Sequence, residues 1–169
     1  MKNPTMFVTI MILILFVIII FFIPVFNQFT ISNGKTGDVV YCDSIEKFEN
    51  FYTSFKHSVN RTPVNEFYRI EGNKFVVYKT TFYSYGAGMP DARDYPDADI
   101  KFENGKVLID NINRELNEFT ILVGTYADHT VHVKNESFKL DKYVEPQNPA
   151  LFKIKRVSIY DILRRQLYE

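Results

Sequence analysis

An uninterrupted apolar run near the N-terminus constrains this chain more than any other feature of the sequence. Residues 6–26 carry no charged side chain, and Thr9 is the only polar side chain among them. A helix of this length spans the roughly 30 Å hydrocarbon core of a lipid bilayer. The run therefore predicts a transmembrane anchor at residues 6–26, preceded by a cytoplasmic tail at residues 1–5.

The flanks of this run bear on whether it is retained and which way it points. A cleaved signal peptide has a shorter apolar region and a cleavage site between small residues, and the segment Val25–Phe29 offers no small pair. Retention and cleavage both stay open, and the flanks favour retention. Lys2 precedes the run, whereas no basic residue follows it until Lys35. The positive-inside bias then predicts a single-pass protein of the cytoplasmic membrane, with its N-terminus inside and its C-terminal domain outside.

The rest of the chain has the pattern of a β protein. Residues 27–38 are polar and lack a sustained period, so we predict a short stalk there. From residue 39 onward, short segments alternate apolar and polar side chains between turn sequences, which predicts an extracytoplasmic β domain at residues 39–169. The expected fold is all-β, an antiparallel β-sandwich or small barrel, because both arrangements hide strand edges. Residues 158–168 have helical spacing and predict a short amphipathic helix, which either closes the barrel or contacts a partner or membrane surface.

Composition excludes several classes of protein. Twenty basic and twenty acidic side chains balance each other, so the chain lacks the positive field expected of a nucleic-acid-binding protein. Cys42 is the single cysteine, which excludes an intrachain disulfide framework and a multi-cysteine metal site. We predict that Cys42 lies within a strand as a small apolar group, and we expect no cofactor.

Two predicted strands carry a histidine and a carboxylate that pairing would bring together. His57 and Glu66 flank the turn at residues 61–63, and a buried His–Glu pair would raise the pKa of the histidine. The pair is interpreted either as a polar anchor for a ligand or as a structural hydrogen bond, and the structural role is favoured. Ser58 is the neighbour of His57 and would point to the opposite face of a strand, so the two do not form a nucleophile–base pair.

Other motifs with chemical potential give weaker signals. The segment 84–90 is rich in glycine but lacks the Lys and following helix of a phosphate loop, so it is either a docking surface or a structural bend. Four aspartates in residues 91–99 have oxygen ligands of the kind that calcium prefers, but their spacing is not that of an EF-hand, and a solvated acidic loop is favoured. His57, His129 and Glu66 have no local metal-ligand spacing, so we predict no metal site. No Gly-x-Ser-x-Gly motif is present, and we predict no catalytic residues.

Three segments together resemble a known family. The first is the run HSVNRTPVNEFYRIEG at residues 57–72, the second is FYSYGAGMP at residues 82–90, and the third is RELNEF at residues 114–119. In this order they resemble the domain of unknown function 1850 family, in which His129 also matches a usual histidine. Phe102 stands where family members often carry tryptophan. The resemblance implies a small exported or membrane-anchored companion of TRAP transporters that use the TAXI type of solute receptor.

These observations lead to one expected function and one alternative. We expect a non-enzymatic accessory subunit that contacts the TRAP permease subunits or the TAXI solute receptor at the cytoplasmic membrane. The alternative is a free-standing binding module, in which Arg61, Arg69 and His57 hold a small anion or the aspartates hold a cation. The candidate ligand or partner contacts are His57, Ser58, Arg61, Glu66, Tyr68, Tyr85, Gly86, Gly88, Met89 and His129.

Overall fold

The structure is a computed structural model, and it describes residues 4–85, 89 and 92–168. In this part of the chain there are two α-helices, α1 (Pro4–Phe22) and α2 (Ile159–Tyr168). The strands in the described residues are β1 (Phe26–Asn33), β2 (Val39–Ser44), β3 (Asn50–Lys56), β4 (Pro63–Glu71), β5 (Lys74–Phe82), β6 (Asp99–Glu103), β7 (Lys106–Leu116), β8 (Glu118–Leu122), β9 (Thr130–Val133), β10 (Glu136–Lys139) and β11 (Pro149–Val157).

The strands form two sheets, which confirms the expected all-β fold. One sheet has four strands in the order β2-β1-β11-β8, and the other has seven in the order β10-β9-β3-β4-β5-β7-β6. Neighbours such as β3 and β4, β4 and β5, and β8 and β11 pair antiparallel. Both sheets contribute buried side chains to one core, so the arrangement is a β-sandwich.

Aromatic rings fill the space between the sheets. Phe29 of β1 lies against Phe51 of β3 and Phe152 of β11, with ring centroids 4.8 and 6.1 Å apart respectively. Phe119 of β8 stacks on Phe152 at 4.4 Å. The alternating aromatic residues thus face inward from both sheets, where their large apolar area contributes most of the burial that stabilises the fold.

The chain divides into two compact units. One comprises the residues up to Gln28 and those from Lys155 onward, and the other comprises Phe29–Ile154. In the first unit, α1 contains the stretch Thr5–Phe22, whose mean hydropathy is 3.1 and none of which is buried. It is the one helix in the described residues that is long and apolar enough to cross a membrane. The helix ends at Phe22, earlier than the predicted boundary at residue 26, because Pro24 disfavours helical geometry at the residue before it.

The structure corrects the predicted stalk at residues 27–38. Strand β1 takes up most of this range and lies between β2 and β11 in the four-stranded sheet. Its last five residues are all buried, including the polar Thr30, Ser32 and Asn33. A strand covered on both faces does not need alternating apolar and polar side chains, so the sequence showed no period there.

Two smaller predictions are confirmed. Cys42 lies within β2, half-buried, where its Sγ accepts a hydrogen bond from Thr30 Oγ1 at 3.9 Å. The predicted C-terminal helix is α2, and Ser158 and Asp161 form its capping box. The Asp161 backbone N–H donates to Ser158 Oγ at 3.1 Å, and the Ser158 backbone N–H donates to Asp161 Oδ2 at 2.8 Å.

Candidate functional site

A polar cleft lies where two connections meet at one end of the seven-stranded sheet. The first connection is the turn at residues 57–62 between β3 and β4, and the second is the loop at residues 123–129 between β8 and β9. The cleft has a volume of about 720 Å³. Its lining residues are Lys56, His57, Ser58, Arg61, Gly124, Thr125, Tyr126, Ala127 and Asp128.

His57 organises the first wall of this cleft. The His57 backbone N–H donates to the Thr62 carbonyl at 2.9 Å, and the Arg61 N–H donates to the His57 carbonyl at 2.9 Å. Its Nδ1 atom accepts the backbone N–H groups of Val59 and Asn60, both at 3.3 Å. The His57 side chain is buried, and it supplies the acceptor for two backbone amides of the turn. His57 thereby holds the turn in one conformation.

The same turn carries two further features. Arg61 has a positive φ of 54°, the left-handed conformation that closes the turn at a cost of about 1–2 kcal/mol for a residue with a Cβ. Asn60 Nδ2 donates to Ser84 Oγ at 2.6 Å. This bond joins the segment at residues 57–72 to Ser84, so the first sequence signature lies next to the start of the second.

The loop at residues 123–129 forms the second wall and is tied to the first. The Lys56 backbone N–H donates to the Ala127 carbonyl at 2.6 Å, which joins the end of β3 to the loop that precedes β9. Within the loop, the Gly124 N–H donates to His129 Nδ1 at 3.2 Å. A Cβ at Gly124 would lie 2.9 Å from Ala127 Cβ, so the loop closes tightly only with glycine at this position.

Positively charged side chains outnumber negatively charged ones around the cleft. Lys56 and Arg61 line it together with one carboxylate, that of Asp128. The Asp128 carboxylate forms ion pairs with Nζ of Lys139 at 2.9 Å and Nζ of Lys56 at 3.4 Å. These two contacts lower the pKa of the Asp128 carboxyl group. The two lysines thus surround one carboxylate, and the Arg61 guanidinium adds a further positive charge to the wall. The arrangement favours an anionic group in the cleft.

Burial sets the charge state of the histidine beside the cleft. His129 lies just before β9, with its ring 5.5 Å from that of Phe55. Burial lowers the pKa of His129, which keeps the ring neutral and its Nδ1 available to accept the Gly124 N–H. Like the Nδ1 atom of His57, the Nδ1 atom of His129 accepts a hydrogen bond from a backbone amide. No group of three His, Cys, Asp or Glu side chains in the described ranges is arranged to hold a metal ion.

The predicted site residues divide between the cleft and the interior. His57, Ser58 and Arg61 line the cleft, and His129 contacts Gly124 at its wall. The structure does not place Glu66 opposite His57. In the β3–β4 register Glu66 faces Thr53, four residues before His57, a separation of roughly 13 Å along a strand. His57 lies in the turn after β3 and not within the strand, which is why the expected juxtaposition does not occur.

Tyr68 is a core residue in the structure. Its ring stacks on Phe51 at 4.8 Å and on Phe119 at 4.7 Å, and its hydroxyl donates to Glu66 Oε2 at 2.9 Å. Glu66 is half-buried and lies between the buried Thr53 of β3 and Thr80 of β5 in the sheet register. The Glu66–Tyr68 pair therefore belongs to the inner face of the sandwich and not to the cleft surface.

The glycine-rich segment is described in part. Tyr85 is exposed and packs edge-to-face on Phe82 at 5.1 Å, and Met89 packs against the core. Gly86 and Gly88 lie outside the described residues. In the acidic stretch, Asp94, Asp97 and Asp99 are exposed, while Asp91 also lies outside the described residues. Arg69, proposed from the sequence as an anion ligand, pairs with Glu71 and donates to Asn113 Oδ1 at 3.0 Å.

The structure adds cleft residues that the sequence did not indicate. Lys56, the last residue of β3, lines the cleft together with Tyr126 and Asp128 from the loop at residues 123–129, and none of the three belongs to a motif. The one signal in the sequence was Tyr126 itself, a large aromatic residue in a short connection between two strands. The structure shows that its side chain is 88% exposed.

Fold and cleft together define a β-sandwich protein with one apolar N-terminal helix and a polar cleft formed by loops. The family model described as "Domain of unknown function (DUF1850)" matches residues 51–140, slightly more than half of the chain. The chain therefore belongs to this family, as the three sequence segments predicted. No curated protein and no solved structure matches the chain.

Proposed function

We propose that this protein is a non-enzymatic accessory subunit of a TRAP-type transporter of the TAXI kind, anchored by α1 in the cytoplasmic membrane with its N-terminus inside. Membership of the DUF1850 family supports this assignment, because the sequence resemblance implies such transporters as companions. The uncharged helix α1 supports the anchor. An anchored chain is confined to the membrane, which raises its effective concentration beside a membrane partner.

One observation supports the cleft as the contact surface. Tyr126 is 88% exposed and Val59 is 72% exposed, and they lie on the two connections that form the cleft walls. Arg61 lines the cleft from the same turn as Val59. Tyrosine and arginine are enriched among the few side chains that contribute most of the binding energy at protein interfaces. The proposed partner surface is therefore the cleft with its rim residues Val59 and Tyr126, and the permease subunits or the solute receptor are the proposed partners.

Co-purification tests this function. The full chain should recover the TRAP permease and the TAXI receptor from solubilised membranes in which all are expressed. The double variant Val59→Ser with Tyr126→Ala should lower recovery by about 30-fold, the equivalent of a 2 kcal/mol hot spot. Phe102→Ala is the matched control, because Phe102 is 73% exposed on edge strand β6 and lies outside the cleft. Failure of the wild-type chain to recover either partner would overturn the proposal.

A second candidate function is the binding of a small anion in the same cleft. The observation in its favour is the excess of Lys56 and Arg61 over the single carboxylate of Asp128, which is itself neutralised by Lys139. A carboxylate would accept a paired hydrogen bond from the Arg61 guanidinium. Such a ligand would give the protein a binding function that needs no transporter.

Thermal unfolding in the presence of succinate tests the second candidate. Succinate should raise the Tm of the wild-type chain above the value in sodium chloride of equal ionic strength, because a ligand that binds only the folded state stabilises it. Arg61→Gln should abolish the shift. Arg69→Gln is the control, since the Arg69 guanidinium is held by Glu71 and Asn113 away from the cleft. An equal shift in both variants would argue against the cleft as the anion site.

A further inference from the structure

The C-terminal helix α2 is attached to the end of the apolar helix α1. The Tyr160 ring lies 5.0 Å from that of Phe22 and 6.2 Å from that of Phe21, measured between centroids. Phe21 and Phe22 form the last turn of α1, and Tyr160 belongs to the first turn of α2. Where α1 crosses a bilayer, its last turn lies at the lipid–water boundary. This boundary is also where tyrosine side chains are enriched, with the ring in apolar surroundings and the hydroxyl in water.

Exposed apolar side chains form one stripe along α2. Tyr160, Leu163 and Leu167 are 39%, 44% and 80% exposed, and their spacing of three and four residues places them on one face of the helix. Leucine side chains this exposed leave apolar surface in water unless a membrane or a partner covers it. Ile159 and Ile162 lie outside this stripe and are half-buried.

Basic residues flank the stripe. Lys155 and Arg156 precede α2, and Arg164 and Arg165 lie in its second half, whereas Asp161 is the one acidic residue among residues 155–168. The Asp161 carboxylate is already engaged by the backbone and hydroxyl of Ser158. Arg164 is four residues after Tyr160 and three before Leu167, so it borders the apolar stripe. A net positive charge beside an apolar face is the pattern of a helix that lies on an anionic lipid surface.

Hydrogen bonds hold both the start and the end of α2. The capping box of Ser158 and Asp161 holds its first turn, and Arg165 Nη1 donates to Gln28 Oε1 at 2.9 Å near its end. Gln28 follows α1 by six residues. The Tyr160 ring contact with Phe22 at the first turn and the Arg165 bond near the end thus hold α2 in place, and the helix is not a free tail.

We infer that α2 is an interfacial helix that lies on the outer surface of the membrane crossed by α1. Leu163 and Leu167 reach the acyl-chain boundary, and Arg164 binds anionic phospholipid headgroups. The inference rests on the anchor in the proposed function. A lipid surface is favoured over a protein as the occupant for two reasons: the apolar stripe continues from the end of a membrane-spanning helix, and the charge beside it matches anionic lipid.

Fluorescence of the full-length protein in vesicles tests the inference. A Leu167→Cys variant in a Cys42→Ser background is labelled with an environment-sensitive dye and reconstituted into phosphatidylcholine, with or without a fraction of phosphatidylglycerol. The dye should show blue-shifted emission and quenching by lipids brominated in the acyl chain. A dye at Phe102→Cys, a position in β6 that is 73% exposed, should be quenched by aqueous iodide instead. Because Leu167 is already exposed, this substitution should not perturb folding.

The charge contribution has its own readout. Arg164→Gln should lower the ratio of lipid-buried to water-exposed dye about fivefold in vesicles containing phosphatidylglycerol, the loss expected for one basic residue at an anionic surface. It should change little in phosphatidylcholine alone. A Leu167 dye that responds to iodide like the Phe102 dye would overturn the inference. A blue shift that appears only when permease subunits are present would also overturn it and identify a protein as the occupant.

Different results would contradict the proposed membrane anchor and the proposed interfacial helix. Protein that is removed from vesicles by an alkaline wash would contradict the anchor in the proposed function. Protein that resists the wash while its Leu167 dye stays in water would contradict the interfacial helix alone.

Discussion

The Tyr68 hydroxyl donates a 2.9 Å hydrogen bond to Oε2 of Glu66, two residues earlier on the same strand. This bond lies on the inner face of the sandwich, where the Tyr68 ring stacks between Phe51 and Phe119. Burial, reinforced by the Glu66 charge and hydrogen bond, raises the pKa of Tyr68 well above its ordinary value. The phenol therefore stays a donor throughout the neutral range, and the pair provides Glu66 with a partner inside the domain.

The two parts of the Tyr68 side chain should contribute differently to stability. Tyr68→Phe keeps the stacked ring and should lower the free energy of unfolding by about 1 kcal/mol, the net value of one hydrogen bond. Tyr68→Ala also creates a cavity and should cost about 3–5 kcal/mol. Urea unfolding of the full-length protein in detergent measures both. Tyr143→Phe, at an exposed tyrosine, is the control and should change nothing, and equal losses for the two Tyr68 variants would contradict this division.

Phe29 should be essential to the β domain although it lies in the predicted stalk. Its ring contacts those of Phe48, Phe51 and Phe75. Phe29→Ala should lower the free energy of unfolding by about 3–5 kcal/mol, because the removed ring leaves a cavity among its neighbours. The exposed Lys35→Ala in the same predicted stalk is the control and should have no effect in thermal unfolding. A Phe29→Ala variant as stable as the wild type would indicate that residues 27–33 are a linker and not part of the core.

His57 should stabilise the turn that forms one wall of the cleft. His57→Ala removes the acceptor for the Val59 and Asn60 amides and should cost about 0.5–1.5 kcal/mol, the net value of a hydrogen bond that water can replace. Hydrogen exchange should show faster exchange at these two amides. His57→Asn offers a side-chain oxygen that can accept a local backbone amide, and it should restore part of the protection. Unchanged exchange in His57→Ala would exclude this structural role.

The loop at residues 123–129 should make folding stability depend on pH. Burial holds the pKa of His129 below the value of about 6.5 that an unfolded histidine has. The unfolded state therefore binds a proton first as pH falls. The stability that neutral His129 contributes is fully present above pH 6.5, and it is lost as pH falls toward the folded-state pKa.

Comparison of two proteins isolates this effect. The wild-type Tm should decrease as the pH is lowered from 7 to below about 6.5, the pKa of an unfolded histidine. The substitution His129→Gln should make this decrease smaller. His132 also has a pKa lowered by burial and should account for part of the remainder. Asp128 acts in a separate window below about pH 3.9, because its pKa is lowered by Lys139 and Lys56. Parallel pH profiles for wild type and His129→Gln would contradict the assignment.

Ser158 should determine where α2 begins. Ser158→Ala removes the side-chain acceptor for the Asp161 amide and should lower stability by about 1 kcal/mol, the usual value of an N-cap. Amide exchange in residues 159–162 should accelerate. Ser158→Thr keeps the hydroxyl and should behave like the wild type. Equal exchange rates in the alanine variant would mean that other contacts hold the helix.

Several elements could be predicted because their signals are local. The helix α1 follows from an uncharged run, and β3, β4 and β5 follow from alternation between turn residues. The strand β1 escaped prediction because Thr30 and Ser32 are buried along with Phe29 and Ile31, which removes the alternation. Within the site, the sequence indicates His57, Ser58 and Arg61 as candidates. The distance between His57 and Glu66 depends on the β3–β4 register, which places Thr53 and not His57 opposite Glu66.

The sequence by itself determined the apolar helix, the predominance of strands and the amphipathic end of the chain, since each depends on side chains a few positions apart. Only the tertiary structure decided which side chains form the cleft. Lys56 and Ala127 are joined by a backbone hydrogen bond across 71 positions of the chain, and Asn60 meets Ser84 across 24. Such contacts depend on how two sheets pack and how their loops close, and no local spacing of residues encodes them.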